Sequence, residues 1–167
     1  FNGALIILSA VFSFYFLYLP SLYDDDQRVQ NISRIGSVCG FLASICCAGV
    51  AFTPADLFFS THVFFADWVY RFMNLSIFFY AVSFIIMANK HFILSLLFGL
   101  IGIIVSSHII LSDFGAAELF SEPHTIRVLS QKAATIALAV SVPLMAIHNR
   151  ARIDSHTVTL SPFAINN

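Results

Sequence analysis

Residues 53–87 read TPADLFFSTHVFFADWVYRFMNLSIFFYAVSFIIM. Thr53 is placed to cap a helix, Pro54 suits its first position, and Asp56 stands three residues after the cap. The stretch ends in an apolar run that only lipid or a bundle interior accommodates. Between the two lie His62, Asp67, Arg71 and Asn74, polar groups that are costly in such surroundings and tend to face a cavity, a bundle interior or the interface. An apolar segment with one polar end predicts an all-α, polytopic transmembrane helical bundle.

Composition agrees. The 167 residues are 59% hydrophobic and 10% charged, whereas a soluble domain carries about 25% charged residues. Mean hydropathy is +0.87, and nineteen phenylalanines suit a lipid-facing or tightly packed bundle. A net charge of −1 gives no footprint for nucleic acid, and no basic run marks an anionic-lipid patch. Cys39, Cys46 and Cys47 fall in one apolar segment and read as small packing residues.

Crossing about 30 Å of hydrocarbon takes roughly 20 helical residues. Five spans are predicted, over 4–19, 32–52, 68–88, 91–111 and 126–148. The long third segment is read as a short interfacial helix over 54–65 that turns into the span beginning at Trp68, with Trp68 and Tyr70 at the interface. Small residues recur with helical spacing at Gly36, Gly40, Ser44 and Ala48, at Ser95, Gly99, Gly102 and Ser106, and at Ser130, Ala134, Ala137 and Ser141. Such stripes let helices approach closely in lipid. Asp24-Asp25-Asp26 reads as a solvated loop, Asn89-Lys90-His91 as a tight turn, and 149–167 as a polar, partly ordered tail following a transmembrane domain over 1–148. Phe1 is not methionine, so an upstream span is expected, giving six in the native protein. Arg28, Arg34, Lys90, Arg150 and Arg152 gather on one side and Arg71, Arg127 and Lys132 on the other, which predicts a cytoplasmic tail.

The non-cytoplasmic ends concentrate the unusual residues. His62, Asp67, Arg71, Asn74, His108, Arg127, Gln131 and Lys132 are the candidate ligand-binding set. Asp67 precedes Arg71 by four residues, a favourable order for an ion pair. Three readings compete: interfacial residues that merely end helices; a pocket for a lipid head group, with Arg71, Arg127 and Lys132 as anion donors; or a hydrolytic metal held by His62, His108, His124 and Asp113. The histidines lie on separate segments without HxxxH or HExxH spacing. No GxSxG, Walker or dinucleotide pattern occurs, so no cofactor is expected and no activity is named.

Phe1-Asn2-Gly3 opening a span, Gly36 to Gly49 running into Phe52-Thr53-Pro54-Ala55-Asp56, His62, and Arg127 with Gln131-Lys132 together resemble a family of small bacterial and archaeal membrane proteins of unknown function, distantly similar to the FRAG/DRAM/Sfk group. The resemblance implies six spans and lipid handling, with membrane lipids as partners. A structural or accessory subunit that docks its small-residue faces on other membrane subunits is the competing expectation.

Overall fold

The computed structural model describes residues 2–23, 26–87 and 92–159. They form five long helices: α1 (Asn2–Tyr18), α2 (Gln27–Phe52), α3 (Phe59–Ile86), α4 (Phe92–Asp113) and α5 (Pro123–Thr159). Single turns of 3-10 helix follow α1 (Leu19–Tyr23) and α4 (Ala116–Leu119). All five helices contain a stretch long and apolar enough to cross a membrane, so the chain is an integral, multi-pass membrane protein built as an all-α bundle. The Asn89-Lys90-His91 turn, Asp24, Asp25 and the tail beyond Thr159 lie outside the described residues.

Helix ends depart from the hydropathy reading where capping extends a helix past the hydrocarbon. Asp26 starts α2 five residues ahead of the expected span, because its Oδ1 accepts from the backbone N–H of Arg28 at 2.7 Å. Pro123 opens α5, where its missing N–H costs nothing. That helix continues to Thr159, so the first residues of the expected tail are helical.

The separate interfacial helix expected over 54–65 is not formed. The start signal at Thr53 is instead a stop. The Thr53 N–H and hydroxyl both donate to the Gly49 carbonyl, at 3.1 and 2.7 Å, closing α2. Pro54, which cannot continue a helix, then turns the chain. Leu57 and Phe58 donate to the Pro54 carbonyl, and α3 runs unbroken from Phe59. The carbonyl of Thr53 accepts from Nδ1–H of His62 at 2.6 Å, which ties the end of α2 to the start of α3.

Packing follows the small-residue stripes, with aromatic rings as the partners. A Cβ on Gly36 would lie 3.1 Å from the Tyr80 ring, one on Gly49 would lie 2.5 Å from Phe65, and one on Gly40 would overlap Phe16. So α2 sits between α1 and α3, pressed by rings from both. The stripe on α5 is buried at Ala134, Ala137 and Ser141. On α4, Ser95 donates to the Ala81 carbonyl and Ser106 accepts from Asn74, while Gly99 faces open space. After α4, Gly115 takes a left-handed φ of 66°, a conformation open to glycine at little cost, and the chain turns towards Glu118.

Candidate functional site

The helices pack in chain order, α1 on α2, α2 on α3, α3 on α4 and α4 on α5. Among the described residues, the last seam, between α5 and α1, is closed at one end. There the 3-10 turn after α1 meets α5, and the Tyr23 hydroxyl donates to Asn149 Oδ1 at 3.0 Å. Above that junction the seam opens into a cavity of about 600 Å³, inside the roughly 300–1,000 Å³ range of small-molecule sites. Its walls are apolar: Leu8 and Phe12 of α1, Ala43 of α2, Met73 of α3, Leu138 and Ala139 of α5. Polar side chains are few and belong mainly to the half nearer Thr53, namely His62, Tyr70, Gln131 and Thr135.

The eight residues expected to form one pocket are divided. Only His62 and Gln131 line the cavity. Arg71 does not pair with Asp67. Its Nε and Nη2 both reach Asp113 Oδ2, at 2.9 and 2.7 Å, and its guanidinium lies 5.0 Å from the centre of the Trp68 ring, a cation–π arrangement. Asn74 donates to Ser106 at 2.8 Å. Arg127 pairs with Glu118, and Lys132 is exposed outside the cavity lining. Two of the three expected anion donors are thus neutralised by carboxylates, and none of the three lines the cavity.

His108 is buried, with Nδ1 3.0 Å from the Ser130 hydroxyl and its ring edge-on to Tyr70 at 4.6 Å between centroids. The Ser130 hydroxyl proton goes to the Arg127 carbonyl, so Nδ1 of His108 is the donor in their bond. The metal candidates do not converge: His62 is held by Thr53, His108 by Ser130 and Asp113 by Arg71. Among the described residues no three of His, Cys, Asp or Glu are placed to hold an ion.

Two features of the bundle interior do not show in the sequence pattern. The pattern places Tyr70 at the interface, yet it points inward, donating to Thr135 Oγ1 at 2.8 Å and packing on His108. A second polar knot lies at the opposite end of the bundle, where Tyr80 bonds Ser37 and the Ser33 carbonyl, and Tyr23 bonds Asn149. Tyrosines clustered near one end (Tyr15, Tyr18, Tyr23) are a legible signal, but they suggest interface anchoring, and the partners of Tyr23 and Tyr80 come from other helices. Comparison with protein-family models, curated proteins and solved structures yields no match to this chain.

Proposed function

We propose that this membrane protein holds a lipid by an acyl chain in the open seam between α5 and α1, with the head group in the half nearer Thr53. The observation that carries the reading is the cavity's polarity gradient, apolar walls with polar side chains gathered towards one end. A single-chain amphiphile has the same gradient. The alternative occupant is a helix of another subunit, and such docking faces favour small residues. Gly36, Gly40 and Gly49 already meet rings of this chain, which leaves the accessory-subunit reading with less surface. The likeness to a lipid-handling group read from the sequence points the same way.

The test is lipid retention. Protein purified in mild detergent is extracted and its lipids quantified by mass spectrometry, for the parent chain, Ala139→Trp and Ile136→Trp. Ala139 is exposed and lines the cavity, whereas Ile136 is exposed elsewhere on the same helix. Retained lipid should fall about tenfold in Ala139→Trp alone. Equal retention in all three, or a photocrosslinker at position 139 that captures only protein, would replace this reading.

A further inference from the structure

We propose, resting on the lipid reading above, that the seam selects an uncharged lipid head bearing hydroxyl groups and rejects phosphate and carboxylate heads. The reason lies in where the protons of the cavity's polar side chains already go. His62 donates Nδ1–H to the Thr53 carbonyl, since a carbonyl can only accept. In the neutral ring that leaves Nε2 as a lone pair. The Thr135 hydroxyl donates to the Gln131 carbonyl at 2.8 Å, so the Tyr70 hydroxyl is the donor in the Tyr70–Thr135 bond. Ser44, also in the lining, donates to the Gly40 carbonyl at 2.9 Å. The Ser44, Thr135 and Tyr70 hydroxyls have spent their protons within the protein, and with the neutral His62 ring they offer only acceptors to a ligand. Gln131, exposed at the cavity, keeps an amide that both donates and accepts.

An ionised phosphate or carboxylate is acceptor-only and would meet those lone pairs with lone pairs. It would also find no arginine or lysine in the lining among the described residues: Arg71 is bound to Asp113 on the α4 flank, Arg127 to Glu118, and Lys132 lies outside the lining. Taking an unpaired anion out of water is expensive. An ammonium head fares no better, because no carboxylate among the described residues lines the cavity. A hydroxyl donates to His62 or Tyr70 and accepts from Gln131. His62 and Tyr70 stand eight residues apart on α3, about 12 Å along the axis, farther than two adjacent hydroxyls reach, so a small polyol head engages one of them together with Gln131.

The experiment compares three oleoyl lipids of one chain length by native mass spectrometry on the delipidated protein: monoolein, oleoyl lysophosphatidic acid and methyl oleate. Monoolein should bind at least about tenfold more tightly than either, the order expected when one or two hydrogen bonds go unmade. His62→Leu removes one acceptor, so it should bring monoolein down towards methyl oleate while methyl oleate is unchanged. Tyr70→Phe combined with Thr135→Val, which removes the bonded hydroxyl pair and keeps the ring on His108, serves as the second variant. Lysophosphatidic acid binding as tightly as monoolein overturns the head-group proposal but leaves the lipid reading standing. Failure of all three to bind, with Ala139→Trp indistinguishable from the parent chain in retained lipid, overturns both.

Discussion

Arg71 and Asp113, forty-two residues apart, form an ion pair 2.7 Å long that joins the outer part of α3 to the last residue of α4. Asp67, one turn before Arg71 on its own helix, makes no such pair. The pair is partly open, with side-chain exposures of 31% and 21%. Its worth therefore falls between the roughly 0–1 kcal/mol of a surface pair and the 3–5 kcal/mol lost when a buried one is broken. Arg71→Ala and Asp113→Ala should each destabilise the bundle by about 1–3 kcal/mol, and the double variant should lose little more than either alone. Asp67→Asn should cost less than about 1 kcal/mol. Unfolding in detergent, arranged as a double-mutant cycle, reads all four. Additive losses would show that Arg71 and Asp113 act independently.

The glycines divide sharply. A methyl group at Gly40 overlaps the Phe16 ring, and at Gly99 it meets nothing within 4 Å. Gly40→Ala should therefore destabilise by about 1–3 kcal/mol through overpacking, and Phe16→Leu should recover part of that loss. Gly99→Ala should be neutral or stabilising by up to about 1 kcal/mol, the helix-propensity difference. Thermal unfolding of the three variants decides it. Equal effects at both glycines would mean that Phe16 moves aside freely.

Hydropathy alone locates the five crossings, because some twenty successive residues almost without charge suit a bilayer and little else. It misplaces the helix between 54 and 65 because Thr-Pro-x-Asp carries two meanings. Thr53 and Pro54 serve a helix start when an apolar periodic run follows, and a helix stop when a run such as α2 has just ended. The preference for Arg71 with Asp67 fails for another reason. Spacing along one helix reports which residues share a face, but the partner on α4 approaches from outside that register. Gln131 and His62 are legible as cavity residues because a polar group on an apolar helix is conspicuous. Tyr70 is not, since a tyrosine near a span's end serves an interface equally well. The division of the polar set is tertiary information throughout.

Orientation rests on arginine and lysine placement, with Arg28, Arg34 and Arg150 at the Tyr23 end and Arg71, Arg127 and Lys132 nearer the Thr53 end. By the positive-inside rule, the Tyr23 end is predicted to be cytoplasmic. Gln27 and Glu122 are both exposed and lie at opposite ends of the bundle. In intact cells an impermeant thiol reagent should label Glu122→Cys and spare Gln27→Cys until the membrane is opened. The native cysteines sit within α2. Labelling of Gln27→Cys alone in intact cells would reverse the assignment.

The floor of the seam offers the last test, because Tyr23 and Asn149 are each only 1% exposed and hold α5 to the turn after α1. The Tyr23 hydroxyl donates to Asn149 Oδ1 at 3.0 Å and lies 3.7 Å from Met145 Sδ. Removing one member of such a pair leaves the other short of a hydrogen bond away from water, which costs about 1–3 kcal/mol, whereas replacing both with apolar groups is close to neutral. Asn149→Leu should thus destabilise clearly, because the tyrosine hydroxyl loses its oxygen acceptor and the nearby sulfur is a weak one. Tyr23→Phe should do the same by stranding the Asn149 carbonyl oxygen. The double variant Tyr23→Phe with Asn149→Leu should recover part of the loss, since leucine and phenylalanine suit the apolar core to which Phe16, Tyr80 and Phe84 belong. If this junction sets the depth of the cavity, the single variants should also admit longer acyl chains in the lipid-retention assay. Two single losses that simply add in the double variant would show that the floor is held by packing, and that the hydrogen bond between Tyr23 and Asn149 contributes nothing to closing the seam.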